Sequence, residues 1–267
     1  MKISKHYLLF IVTFFSLLQI QAQNDTLRVK MKSKIDLEAQ QFWGFDAFGY
    51  VYYSKENVLV KENDKERFEY KNINLGTLKN VDLRNPLRLL LFFETFNSIT
   101  TLDNQLNEIQ SVDFSIGNNP LNIIATGMAA QNQVWCFDNL SQRLWLYHLN
   151  HRTAKSVAVQ MQNKIKTYQS DLNYFYYVDQ TNEIFQINIF GKVVSLGKIN
   201  DFKEIRFVDD RSIILQNNDG LILTNLISKQ TRFINIEEKR ILNYTIQNQI
   251  LSIFTGKEII NYTITLQ

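Results

Sequence analysis

Cysteine occurs once in the 267 residues, at Cys136, so no intramolecular disulfide can form. A chain without such staples needs a core large enough to hold itself together. Only two prolines and nine glycines are present, which argues against linkers and low-complexity segments. The nine glycines never cluster as a phosphate-binding loop requires. Histidine is scarce too: beyond the first 22 residues only His148 and His151 remain. Their spacing in YHLNH is that of a metal pair, but a site needs a third and usually a fourth ligand, and Cys136 is the sole thiol. Solvated loop residues are the expectation for both. A Ser-His-Asp triad would have to draw on one of them, and no Gly-x-Ser-x-Gly elbow exists. No cofactor and no metal are expected. Charge of one sign is also lacking, with 29 basic against 26 acidic residues. Such a chain has no electrostatic footprint for nucleic acid.

The one long apolar run lies at the start. Lys2 and Lys5 precede an apolar stretch from Tyr7 to Leu18, and a polar exit follows with a small residue at Ala22. That pattern is a secretory signal peptide, with cleavage expected near Ala22. The run falls short of the about 20 residues of a comfortable membrane span, which weighs against a retained anchor. The expected organisation is therefore a signal peptide over 1–22 and a single domain over 23–267, with no transmembrane segment in the mature chain. Removing Lys2 and Lys5 lowers the basic count to 27 against 26 acidic residues, leaving the mature chain nearly neutral. Cys136, between Trp135 and Phe137, reads as a buried strand thiol.

What is present is a repeat. The stretch from Val134 to His148, VWCFDNLSQRLWLYH, is a strand, a polar turn and a returning strand. The same pattern recurs with turns at Asn57, Asn97, Ser141, Asn182, Asp219 and Lys257, at spacings of 40, 44, 41, 37 and 38. Each hairpin has a candidate strand on either side, as at 164–168 and 192–198 around the fourth. Four strands in about 40 residues is the arithmetic of a β-propeller blade. The strands are rich in Ile, Val, Tyr, Phe and Thr, which suit a pleated surface.

The last unit supplies only three strands, while residues 26–34, TLRVKMKSK, alternate apolar with charged residues as a half-buried edge strand does. The expectation is that this segment joins the final blade and closes the ring, removing an open edge that would invite aggregation. The fold class expected is all-β: a six-bladed β-propeller with the N-terminal strand closing the last blade. A two-sheet sandwich rarely repeats one hairpin six times at constant spacing, and a parallel β-helix would show a shorter period and more glycine turns.

With these units laid out, the chain resembles the six- to eight-bladed β-propellers over roughly Phe42 to Leu266, and small exported propeller proteins of Gram-negative bacteria. The likeness rests on period: the Trp-Asp, Tyr-Trp-Thr-Asp and Asn-His-Leu signatures are absent, the nearest echo being Tyr176-Tyr177-Val178-Asp179. Propellers host many unrelated functions, so the resemblance implies a fold and no activity.

Candidate chemistry lies at the loops. Asp46, Glu94, Asp138, Asp179 and Asp209 all adjoin strands, and two carboxyl groups about 5 to 9 Å apart would suffice for glycoside hydrolysis. Acidic residues are equally ordinary turn formers. Asn217-Asn218-Asp219-Gly220 has part of a calcium-loop pattern but lacks the alternating carboxylates and distal Glu, and reads as a turn. Trp43 and Phe45 are either core or a surface platform for sugar or peptide. Lys61, Lys65, Arg67 and Lys71, interleaved with Glu62, Asp64, Glu66 and Glu69, read as a solvated mixed-charge face. The candidate binding-face residues are thus Trp43, Phe45, Asp46, Glu94, Asp138, Asp179 and Asp219. The function expected is a non-enzymatic scaffold or protein-interaction module with envelope or outer-membrane protein partners. Its place is the periplasm, the periplasmic face of the outer membrane, or the exterior. The alternative is a carbohydrate-binding or glycoside-hydrolysing propeller using channel-facing carboxylates.

Overall fold

A computed structural model describes residues 26–117 and 120–265; the expected signal segment, 1–22, lies outside the described residues. Two strands open the described residues, β1 (Thr26–Arg28) and β2 (Lys30–Asp36). Blade one follows as β3 (Gln41–Phe45), β4 (Val51–Lys55), β5 (Val58–Glu62) and β6 (Arg67–Tyr70), and blade two as β7 (Asn80–Asp82), β8 (Leu89–Phe93), β9 (Ser98–Leu102) and β10 (Glu108–Asp113). Blade three is β11 (Ile123–Ala129), β12 (Gln133–Asp138), β13 (Arg143–His148) and β14 (Thr153–Ser156). Blade four is β15 (Ile165–Ser170), β16 (Tyr174–Asp179), β17 (Glu183–Asn188) and β18 (Val193–Lys198). Blade five is β19 (Glu204–Phe207), β20 (Ser212–Gln216), β21 (Leu221–Asn225) and β22 (Thr231–Asn235); β23 (Asn243–Gln247), β24 (Ile250–Phe254) and β25 (Glu258–Thr263) begin blade six. The six antiparallel sheets stand in a ring, their first strands innermost, with β23 meeting β3 to close it. The protein is a six-bladed β-propeller.

Each seam between blades holds one apolar cluster, six in all. A middle strand is pressed by a neighbouring blade on both faces, so it loses the alternation of a half-solvated sheet. The LLLFF run of β8 is buried at every position. Burying each such side chain contributes about 1.5–3 kcal/mol. Cys136 faces the seam between blades two and three with no exposure, and burial pushes its thiol well above the ordinary range.

All six expected turns fall between the second and third strands of a blade, so they share one end of the ring with the blade-to-blade connections. This end is termed the hairpin face. The first-to-second and third-to-fourth strand turns lie on the opposite face. Positive φ at Asn57 and Asn182 shows why asparagine serves at these hairpins.

Ring closure differs from the expectation in two respects: the closing strand β2 is exposed at every position where a half-buried strand was expected, and the N-terminal run is divided between two blades. β2 does join blade six, pairing antiparallel with β25 from Lys30↔Thr263 to Asp36↔Glu258. β1, however, pairs in parallel with β22 and adds a fifth strand to blade five. The N-terminal run therefore straddles a seam, with Val29 as the only residue between its two pairings.

Innermost strands present free backbone groups to the channel, and side chains of one blade satisfy the next. The Gln169 amide exchanges two hydrogen bonds with the Phe207 backbone, at 2.9 and 3.0 Å. Arg206 donates to the Tyr244 carbonyl at 3.1 Å, and Asn243 to the Phe42 carbonyl at 2.6 Å. The Met128 amide donates to Asp82 at 2.9 Å. Each tie runs from one blade to its successor and meets a buried backbone demand.

Candidate functional site

The acidic candidates occupy two ends of the ring. Asp46 lies in the first turn of blade one, on the opposite face, and is buried. Its carboxylate accepts from the amides of Phe48 and Tyr50 at 2.8 and 3.0 Å and from the Tyr52 hydroxyl at 3.0 Å. Asp209 lies on that same face in blade five and accepts from the Arg211 amide at 2.8 Å. Glu94, Asp138, Asp179 and Asp219 stand on the hairpin face, one each in blades two to five. The structure thus gathers four carboxylates on one face but on four separate blades.

Their bonding is that of turn formers. Asp138 accepts from the amides of Asn122 and Ser141, at 2.7 and 2.9 Å, and so binds the incoming connection to its own hairpin. Asp179 does the same in blade four, accepting from Asn163 at 2.7 Å, from the Thr181 amide and hydroxyl at 2.8 Å, and from the Glu183 amide at 3.0 Å. Burial pushes both carboxyls up, but these donors outweigh it and hold them below the ordinary range. Glu94 pairs with Lys79 at 2.9 Å. Asp219 is exposed, and its amide and that of Gly220 donate to Asn217, which makes 217–220 a side-chain-capped turn.

Trp43 donates its indole N–H to Ser54 Oγ at 2.8 Å and packs on the seam between blades one and two. Phe45 meets Phe42 edge-on at 5.6 Å in the seam between blades six and one. The His148 and His151 rings stand 4.2 Å apart, the His151 amide donating to His148 Nδ1. Among the described residues no three His, Cys, Asp or Glu side chains converge as metal ligands.

One basic residue departs from the solvated-face expectation. Lys61 is buried, 4.3 Å above the Tyr50 ring, and donates to the Asn104 carbonyl of blade two at 2.6 Å. Burial lowers its pKa. Charge alternation in sequence does not reveal that its strand faces a seam.

Sequence reasoning missed three features that only the ring creates. The first is at the inner end of the seam between blades two and three, where Arg84 pairs with Asp82 and reaches Ser170 Oγ of blade four at 3.3 Å. Its guanidinium passes over Gly127 of the intervening blade. A Cβ at Gly127 would lie 2.1 Å from Ser170 Oγ, so any side chain there must displace Ser170 or the Arg84 guanidinium.

The second is a groove of 630 Å³ at the outer end of that same seam. Val112 and Phe114 line one side; Trp145, Tyr147, Arg152 and Ala154 line the other. The Trp145 indole N–H is buried and finds no acceptor among the described residues.

The third is an apolar arc on the hairpin face. Ile73, Phe96, Ile116, Leu140 and Val159 are each 50–78 % exposed, and they come from five successive loops between blades one and four. Phe48, Leu87, Leu172, Phe190 and Ile227 are also exposed on the opposite face, but blade three contributes none of them.

No family model and no curated protein matches the chain. Solved structures do. Virginiamycin B lyase from Staphylococcus aureus superimposes with a TM-score of 0.60 at 12% identity, over 89% of this chain and 100% of that one. A member of the DUF4221 family from Bacteroides vulgatus gives 0.59 at 8% identity, over 91% and 99%. The extracellular domain of a putative one-component system from B. thetaiotaomicron gives 0.54 at 11% identity, over 86% of this chain and 34% of that one. At these identities the likeness is one of fold.

Proposed function

We propose that the chain is a non-enzymatic, exported propeller that acts as a protein-interaction or scaffold module in the periplasm or at the outer membrane. The observation that carries this reading is the apolar arc from Ile73 to Val159. Single exposed apolar residues are ordinary, but a run supplied by five successive loops is the kind of patch that marks a protein interface. A ring of packed blades suits this use, because it positions the loops that carry the patch.

Export rests on the basic, apolar and small-residue order of 1–22. The similarity in fold to an extracellular domain from B. thetaiotaomicron is in keeping with it. Among the described residues no helix is long and apolar enough to cross a membrane. The glycan reading finds no favourable geometry: Asp46, Asp138 and Asp179 are engaged in capping their own turns, on three separate blades.

The test is in-cell crosslinking of the tagged protein in its own envelope, followed by mass spectrometry. A reproducible partner is expected with the native chain and with Phe48→Asp, and its loss with Phe96→Asp combined with Leu140→Asp. Absence of any partner, or turnover of polysaccharide substrates by the purified chain, would overturn the reading.

A further inference from the structure

The outer ends of two seams are built from corresponding positions. Ile234 and Ile236 face the seam between blades five and six; Val112 and Phe114 face that between blades two and three. Ile234 pairs with Leu221, and Val112 with Ile99, on the strand before. Across each seam stands a tyrosine, Tyr262 paired with Met31 or Tyr147 paired with Ala154. Two residues later, Ile264 and Leu149 donate their amides to the carbonyls of Gln249 and Asn132, at 2.9 and 3.1 Å.

One seam is filled and the other is not. Between blades five and six, Leu27 of β1 sits against this wall, in register with Ile234 and only 9% exposed. Between blades two and three, β10 is the outermost strand of its sheet among the described residues, Ala154 stands where Met31 does, and the 630 Å³ groove lies in the place of Leu27.

We propose that this groove docks the extended C-terminal tail of another polypeptide. The tail adds in parallel along residues 111–113, seats an aliphatic penultimate side chain against Val112, Phe114 and Tyr147, and ends with its carboxylate at Arg152. Strand addition to a free sheet edge is a recurrent mode of peptide recognition, the backbone giving affinity and alternate side chains giving specificity. The direction follows from β1, which runs parallel to its host strand. The end follows from the chain path. β1 leaves its seat through Val29 into Lys30, whereas Arg152 already occupies the corresponding place ahead of Thr153, so a guest must stop there. Arg152 lines the groove and forms no ion pair among the described residues. A terminal carboxylate is the group that suits it.

This inference rests on the interaction-module reading; the groove shares Ile116 with the apolar arc, but its test positions 152 and 154 and the arc's test positions 96 and 140 belong to one surface each, so either can fail alone. The probe is a peptide library randomised over its last six residues and displayed with a free C-terminus, selected on the full chain. The expected result is enrichment of Leu, Ile or Val at the penultimate position. A selected peptide made as its C-terminal amide should bind about fivefold more weakly than the acid, in line with a partly exposed ion pair. Ala154→Trp, which puts a bulky ring into the groove that Ala154 lines, should weaken both forms. Arg152→Ala should abolish the difference between acid and amide, and Arg152→Lys should restore part of it. Position 154 is an exposed edge site, so the variant should melt with the native chain. The proposal is overturned if no penultimate preference emerges, if acid and amide bind alike, or if Ala154→Trp leaves binding unchanged at native melting behaviour.

Discussion

The seams between blades five and six and between blades two and three are the same construction with opposite outcomes. The first is sealed at its rim by a strand donated from the N-terminal end, which places Leu27 over Ile234. The second is tight at the channel, where Arg84 is threaded over Gly127, yet open at the rim. A propeller seam therefore has an inner half fixed by polar ties and an outer half whose filling is independent of the ring. What seals one blade pair is absent from the other among the described residues, where an open groove runs between the blades.

Removal of the donated strands should have the most severe effect. A chain beginning at Leu37 should leave the β25 edge bare and lose cooperative unfolding, with the midpoint falling by roughly 10 °C or more in a calorimetric scan. Paired truncations sharpen the contrast between the two seams. Ile234→Ala, under a full lid, should cost about 3 kcal/mol, whereas Val112→Ala, against an open groove, should cost less than about 1 kcal/mol by denaturant titration. Equal costs would deny that the two rims differ.

The tight inner half has its own test. Gly127→Ala must displace Ser170 or Arg84, and should destabilise by about 1–3 kcal/mol. Melting indistinguishable from native would show that the channel tie is slack. The smallest expected effect is at the hairpin end of this seam. Asp138 is held below the ordinary carboxylate range in the folded chain, so its stabilisation is complete above the unfolded pKa of about 3.9 and is lost as pH falls through the lower folded value. Asp138→Asn should cost about 1 kcal/mol at pH 7 and flatten the stability profile below about pH 4. An unchanged acid limb would remove Asp138 from the account.

The architecture was legible because it is periodic. Asn57, Asn97, Ser141, Asn182, Asp219 and Lys257 all sit in the turn between second and third strands, and one sequence suffices to find a repeating turn. The division of the N-terminal run between two sheets was not legible. Leu27 and Met31 alternate in one unbroken pattern, and nothing local at Val29 signals that the pairing partner changes. The same limit hid Lys61, whose charged neighbours give no hint of a tyrosine-lined seam. The carboxylates were visible as residues, but whether Asp138 faces a ligand or its own amides is a matter of three-dimensional register. The groove is further removed still: its two walls are stretches 111–117 and 145–154, and only the ring brings them face to face.

The pairing of β2 with β25 also sets an order of events. Lys34 bonds Glu258 across a separation of 224 residues, so β2, synthesised ahead of every strand of blade one, is among the last to find its mate. Chains fold from the N-terminal end as they emerge. Blades one to five have their strands in sequence order and can form locally, while β1 and β2 wait for partners near the far end of the chain. Loop closure over that span is slow. Until it happens, the half-built protein carries β2 as an unpaired strand ahead of its finished blades.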